Sequence, residues 1–508
     1  MKKRVERLRG MYDLLPEAYQ QQQWLTERMR TFLASAGYAP VDAPVLERSD
    51  LFLASFGQEL WQNLYSFHLH HRDLCLRPEY TASICRLYLD HYQQQPLPLR
   101  FQYAGPVFRY EAPGRGRYRQ HTQLGVELFG GQAAAADAEI VQLACDVLTE
   151  LKIGRYRLEL GHIGVASGFI NRLHLDDHAA RLLLSLMEQI SRSEEGERQA
   201  QARLEALYSL DRLGEGMSAG NVGSTGNAEG LVSISGVEKR YITSLLSGIS
   251  ISFGDDDARH EVVERFLWKM GRSEQRRQIL HALEFLRALH AVAGAPPAVF
   301  DALRTLLARY ELDARPLQEL EQLVEMLVQN GVASEHIFLN LSLGRGVSYY
   351  TGLVFEIHTQ DADGFDAQLC GGGRYDHLLR AVGGTRDVSA CGFTFGLERL
   401  LSLIPAADLP VLSGIQALVI PVSAQQFPYA LRVARSARAS GLSAEVDVTG
   451  HGVGSGLRRA AKKRIRLALI VGSDEQKDSV VTVHDLETGG EQTVSIESLG
   501  AQVKERVL

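Results

Sequence analysis

Two alternating runs, LRFQYAGPVFRYE and TQLGVELFG, flank a short glycine- and arginine-rich loop between residues 99 and 130. Strands joined by a loop, with no helix to carry the chain back, pair antiparallel. The period of two places Gln123, Gly125 and Glu127 on one face of the second strand. Four arginines fall between positions 109 and 119. Guanidinium groups bind phosphate oxygens in bidentate fashion, so a hairpin of this kind can close over an anion. Glycines let its backbone approach a ligand, and Gly125 is expected to leave room for a small one between two polar side chains. The competing reading of this stretch alone is a solvated basic hairpin.

The chain has 508 residues, more than one compact core accommodates. Periodicity predicts a helix over 17–36, stopped by Gly37. GYAPVDAPVLE reads as a proline-containing strand at a sheet edge or chain crossing. Short strand runs then continue to residue 130, and a helix covers 135–151. Residues 166–212 and 258–333 read as helical, separated by the Gly/Ser/Asn segment 214–230. Strands return at HIFLNLSL, GLVFEIHT and ACGFTFG. After residue 414, QALVIPV, SAEVDV, LALIVG and VVTVHDL alternate with helical stretches, the pattern of a small α/β domain. No apolar run approaches the roughly 20 residues of a membrane span. No secretory signal is read at the N-terminus, and five scattered cysteines suit a reducing cytoplasm rather than a zinc or disulfide framework. The net charge is −7, so any nucleic-acid contact must come from local basic patches.

Further polar constellations accompany the hairpin. CLRPEYTAS sets Glu79 and Thr81 at strand spacing beside Arg77. LGRGVSYYTGLVFE holds Arg345 between glycines, followed by Tyr349 and Tyr350. GGGRYDHLL begins at Gly371, and CGFTFGLERLL carries Arg399 at the start of an amphipathic helix. In RRAAKKRIR, a helix would put Arg458, Lys462 and Arg466 on one face. Each alone is also consistent with packing, turns or a solvated face.

In this order and at these separations, the segments resemble a class II aminoacyl-tRNA synthetase of the histidyl-tRNA synthetase family. RGMYDLLP is similar to that family's N-terminal signature and GYAPVDAPVLE to its motif 1, which implies a homodimer. FRYE through QLGVELFG resembles motif 2, and GLERLL resembles motif 3. RGVSYYTG and GGGRYDHLL are similar to the histidine-specific signatures. The resemblance implies an α+β fold: an antiparallel-sheet catalytic core (1–165 and 336–408), a helical insertion (166–335), and an α/β anticodon-binding domain (415–508).

It also implies roles. Arg109 would meet the α-phosphate of ATP, Glu111 the adenine, and Arg117 and Arg399 the β- and γ-phosphates. Glu79, Thr81 and Gln123 would take the α-amino group of L-histidine. Glu127 and Tyr350, with Tyr349 beside them, would read the imidazole. Arg345 would sit against the substrate carboxylate and the α-phosphate. Mg²⁺ would accompany ATP. Arg458, Lys462 and Arg466 would contact the histidine tRNA, in a cytoplasmic enzyme with no membrane partner. The family often has Glu-Gly-Thr where this chain has Glu79-Tyr80-Thr81; strand alternation would turn Tyr80 away from the pocket. It often has Leu-Asp where this chain has Val347-Ser348. Two further readings share these residues. One is the histidine-sensing regulatory subunit of ATP phosphoribosyltransferase, whose relatives commonly lack the motif 2 loop and anticodon domain. The other is a paralogue making an adenylate for an acceptor other than tRNA.

Overall fold

The computed structural model of the chain describes residues 5–56, 64–111, 114, 118–175, 180, 183–184, 187, 277–344, 349–360, 364, 366–411 and 414–499. Arg117, Arg345, Val347, Ser348 and the segment 214–230 lie outside them. Two compact units make up the chain, Met1–Leu14 with Gln21–Leu409, and Leu15–Gln20 with Pro410–Leu508.

The first unit is built on a nine-stranded sheet of order β1-β5-β6-β12-β11-β10-β7-β9-β8. Its strands are β1 (Ala39–Pro40), β5 (Leu99–Phe108), β6 (Gln120–Phe129), β7 (Arg157–His162), β8 (Ala293–Gly294), β9 (Ile337–Asn340), β10 (Leu353–Gln360), β11 (Asp366–Arg374) and β12 (Ala390–Gly396). Only β1–β5 and β7–β9 pair parallel; every other neighbour is antiparallel. The hairpin read from the sequence is β5–β6, with Tyr103 opposite Gly125 and Phe101 opposite Glu127. A small sheet of β2 (Leu46–Arg48), β3 (Ser66–Leu69) and β4 (Arg72–Leu76) stands beside it. GYAPVDAPVLE is therefore two short strands in different sheets. Its first part does lie at a sheet edge, as the prolines required.

Side-chain alternation gives the large sheet two different faces. Leu124, Val126 and Leu128 of β6 point into the main core, beneath α1 (Pro16–Ser35) and α4 (Ala133–Glu150). Helix α1 brings Leu25, Met29 and Leu33, four residues apart and fully buried. It ends before Gly37, whose φ of +86° suits glycine at the C-terminal turn. Each such leucine or methionine contributes about 1.5–3 kcal/mol on burial. Part of the opposite face is covered by α3 (Thr81–His91), with Tyr80, Ile84 and Tyr88 against Phe101, Tyr103 and Phe129. The rest of that face, around Gln123 and Glu127, carries polar groups.

Helix α3 corrects the expectation of strand spacing at Glu79 and Thr81. β4 stops at Leu76, Pro78 breaks the strand, and Thr81 opens a helix. Of the expected helical insertion, α5 (Ile163–Arg172) and helices Pro296–Arg309 and Arg315–Gln329 are described. Leu303, Leu307, Leu320 and Leu323 join the same core as the sheet.

The second unit is a five-stranded sheet of order β14-β13-β15-β16-β17, formed by β13 (Ala417–Pro421), β14 (Ala444–Val446), β15 (Leu467–Val471), β16 (Val480–Asp485) and β17 (Glu491–Ser495). Its first three strands are parallel and its last two antiparallel additions. Helix Phe427–Ala439 packs Tyr429 and Val433 on one face, and helix Val453–Lys462 packs Ala460 against Ile420 on the other. This is the α/β pattern read from the sequence.

Candidate active site

The polar face of the sheet holds two adjoining clefts. One is lined by Glu79, Thr81, Glu127, Tyr349, Tyr350 and Tyr375, among others. The other is lined by Glu111, Tyr118, His121, Gln368, Glu398 and Arg399, among others. Arg109, Gln123, Gly371 and Thr394 belong to both, so a single ligand can pass from one into the other.

Glu127 lies at the bottom of the first cleft and is 1% exposed. Its Oε1 accepts from Thr81 Oγ1 at 2.8 Å and from the Tyr103 hydroxyl at 3.1 Å. Its Oε2 accepts from the Tyr375 hydroxyl. Burial pushes its carboxyl up to about 8, and Glu79 adds to the rise; the Tyr375, Thr81 and Tyr103 hydroxyls oppose it. Backbone room for this side chain comes from β12, because a Cβ on Gly392, opposite Glu127, would collide with Oε2. Gly125 corrects an expectation. A Cβ there would lie 2.6 Å from the Tyr103 hydroxyl, so the missing side chain makes space for Tyr103 rather than for a ligand. Tyr103 carries no motif signal of its own; the register opposite Gly125 is what finds it. Tyr375 stands inside the quoted GGGRYDHLL run but was assigned no role there.

Glu79 sits at the start of α3. Its two oxygens accept from the backbone N–H groups of Thr81 and, at 2.8 Å, Ala82. Its carboxyl is nonetheless raised, because burial outweighs those bonds and Arg109. Tyr80 does turn away from the cleft, for a different reason than strand alternation. It is fully buried, stacked on Tyr103 at 4.3 Å, with Arg77 donating to its hydroxyl, which donates in turn to Asp42 at 3.1 Å. Gln123 is buried, and its side-chain oxygen has no hydrogen-bond partner among the described residues. An unpaired buried acceptor of this kind costs about 1–3 kcal/mol until a donor arrives.

Arg109 follows β5 and is steered by its Nε, which donates to the Pro78 carbonyl at 2.9 Å. Arg399, the third residue of helix Leu397–Leu403, donates to the Gln368 carbonyl at 2.5 Å. Burial, then Arg109 and Arg399, push His121 down to about 3, so its ring is neutral. The second cleft sets Arg109 and Arg399 among Glu111, Glu398 and a neutral His121, and the first is polar with buried carboxylates. Tyr349 and Tyr350 lie 4.9 Å apart, and Tyr349 is 5.8 Å from Tyr375. The structure thus brings together Glu79, Thr81, Arg109, Glu111, Gln123, Glu127, Tyr349, Tyr350 and Arg399. His121, Tyr118, Glu398 and Tyr375 are additional lining residues.

A model of the histidyl-tRNA synthetase family matches residues 10–219 and 255–400, and a model of the anticodon-binding domain matches 416–506. The chain belongs to the histidyl-tRNA synthetase family. Curated histidine–tRNA ligases from Pyrococcus abyssi and Archaeoglobus fulgidus are each 29% identical to it. The first covers 99% of both chains and the second 98%. The structure of an apo histidyl-tRNA synthetase from S. aureus overlays with a TM-score of 0.60 at 19% identity, covering 99% of this chain and all of that one. A Bacillus halodurans C protein described as an ATP phosphoribosyltransferase regulatory subunit/histidyl-tRNA synthetase overlays at 0.59 and 22% identity, covering 93% and 100%. These likenesses support the fold: the antiparallel catalytic sheet and the C-terminal α/β anticodon-binding domain are those of a histidyl-tRNA synthetase.

In that C-terminal unit, Arg458 and Lys462 are exposed on helix Val453–Lys462. Arg466 is not on the helix face expected for it. The helix ends at Lys462, Arg464 turns the chain with φ +56°, and Arg466 pairs with Asp485 at 3.3 Å and Glu487 at 3.2 Å. Arg459, absent from the sequence reading, pairs with Asp447.

Proposed function

We propose that the two clefts bind L-histidine and ATP and form histidyl-adenylate, the first half of ATP-dependent ligation of histidine to its tRNA. The observation that carries this is the shared wall. Arg109 and Gln123 line both clefts, so an amino-acid carboxylate and an α-phosphate can meet beside one guanidinium. A histidine carboxylate oxygen attacks the α-phosphorus, a new O–P bond forms, and the bond to pyrophosphate breaks. Arg109 stabilises the charge on the non-bridging oxygens. Arg345, outside the described residues, is assigned the substrate carboxylate and the α-phosphate, and Arg117, likewise outside them, joins Arg399 on the β- and γ-phosphates. Glu111 is assigned the adenine. The ammonium of histidine donates to Gln123 Oε1 and Glu79, with Thr81 beside them. Its imidazole donates to Glu127, with Tyr350 as second partner and Tyr349 packed alongside. A pocket built this way rejects analogues lacking a ring nitrogen, because its polar groups would be left unpaired.

Mg²⁺ would come with ATP. Among the described residues no group of three His, Cys, Asp or Glu side chains is placed to hold a metal. Glu398 in the nucleotide cleft, with Glu111 given to the adenine, fits a cation that keeps mostly phosphate and water ligands. The exposed Arg458 and Lys462 are assigned to tRNA phosphate, and Arg466 to support from its two acidic neighbours. Domain limits at 1–165, 166–335, 336–408 and 415–508, a homodimer and a cytoplasmic setting complete the proposal. No helix among the described residues is long and apolar enough to cross a membrane.

The test is histidine-dependent ATP–pyrophosphate exchange beside charging of total tRNA. Exchange with histidine alone among the amino acids, plus charging, is the expected result. Histidine binding without exchange would favour the sensor reading. Full-length likeness to ligases and a matched anticodon-binding domain weigh against that reading.

A further inference from the structure

The N-terminal run RGMYDLLP entered only as a signature, with no role for its residues. In the structure it makes four contacts with residues that line the nucleotide cleft or adjoin it in sequence. The Tyr12 hydroxyl donates to Glu398 Oε1 at 2.6 Å. The Tyr12 ring lies 4.8 Å from that of Tyr118. The Arg119 backbone N–H donates to the Gly10 carbonyl at 2.9 Å, and its guanidinium to the Arg9 carbonyl at 3.2 Å. Glu398 and Tyr118 both line the nucleotide cleft. Glu398 Oε1 also accepts the Thr122 backbone N–H at 2.8 Å, so that oxygen is held from two directions. Both donors fall on one oxygen, so Oε2 takes neither of them.

We propose that Tyr12 is a positioning residue for the nucleotide. Its hydroxyl sets the rotamer of Glu398, and its ring holds Tyr118, so that the carboxylate is presented to bound ATP in one orientation. The first residues of the chain thereby become part of the ATP subsite without touching the amino-acid cleft. A hydrogen bond to a charged acceptor contributes enough for its loss to be visible as a change in affinity.

This rests on reading the cleft as the ATP site. The test is pyrophosphate exchange with separate titrations of ATP and histidine, on the full chain and on Tyr12→Phe, Glu398→Gln and the double variant. Tyr12→Phe keeps the ring against Tyr118, and its melting temperature serves as the check on folding. The expected result is a KM for ATP raised about tenfold, with the KM for histidine within about twofold of the parent. In the Glu398→Gln background, Tyr12→Phe should add nothing, since the two act through one contact. Exchange by the parent with an unmoved KM for ATP in Tyr12→Phe overturns this inference alone. So does an equal rise in both KM values, which a merely structural tether would produce. Absence of exchange in the parent overturns the reading of the cleft, and the inference with it.

Discussion

In the proposed site, Glu127 concentrates the physics of selectivity in one side chain. Its carboxyl titrates near 8 rather than near 4.5 because burial outweighs three hydroxyl donors. The sign follows from linkage: between those pH values the folded, empty site holds a proton that the unfolded chain does not. Stability of the ligand-free protein therefore falls as pH rises from about 4.5 to about 8. In the proposed contact the carboxylate is the form that accepts the imidazole N–H, so histidine binding is expected to improve over the same range. The KM for histidine should drop about fivefold between pH 7 and 8. Glu127→Gln should flatten that slope, and an unchanged slope in the variant would remove Glu127 from the imidazole contact. Gly392 gives a second check. Its absent side chain is what allows Oε2 to lie where it does. Gly392→Ala should cost more than about 100-fold in kcat/KM for histidine, about 2.7 kcal/mol, with the ATP titration little altered. At this scale the sequence showed the polar identities of Glu127 and Gln123 through alternation along one strand. It did not show Tyr103, whose position depends on a neighbouring strand's register.

At the scale of elements, the hairpin and the sheet were legible because alternation and short connections are local properties. Helix α3 was not, since CLRPEYTAS satisfies strand spacing as well as a helix start. What decides it is Pro78 and the Glu79 carboxylate capping the N–H groups of Thr81 and Ala82. Arg466 is the opposite error: a run of basic residues extends a helix on paper, but the chain turns at Arg464 to reach β15. A buried contact joins α4 to β11. Arg374 donates to Asp137 at 2.7 Å through Nη2 and at 3.2 Å through Nε, and both side chains are nearly inaccessible. Asp137→Ala would leave the guanidinium buried without its main partner. Denaturant unfolding should register a loss of about 3–5 kcal/mol. A loss below about 1 kcal/mol would mean that Asp376, 3.0 Å from Arg374, suffices as counter-charge.

On the scale of the whole molecule, the chain forms two compact units. The proposed function divides two chemistries between them: adenylate formation in the first unit's clefts, and tRNA contact by Arg458 and Lys462 of the second. Reversing both charges, Arg458→Glu with Lys462→Glu, should leave pyrophosphate exchange within about twofold. tRNA charging should fall at least about tenfold and lose part of its salt dependence, as expected when phosphate contacts are removed. Loss of exchange in that variant would contradict the division of labour. Within Arg345→Ala, the proposed mechanism requires severe loss of exchange with an unchanged melting temperature. The sequence by itself carried the motifs that resemble the family, and it determined the antiparallel core, the α/β unit after residue 414, and which polar residues were candidates. The core, the α/β unit and the candidates follow from side-chain type and local period, which a linear string records in full. Tertiary structure decided what fills each space: Tyr103 over Gly125, Glu127 over Gly392, Tyr12 on Glu398. These are contacts between residues 22, 265 and 386 positions apart. Their existence depends on strand register and chain return, which no local pattern encodes.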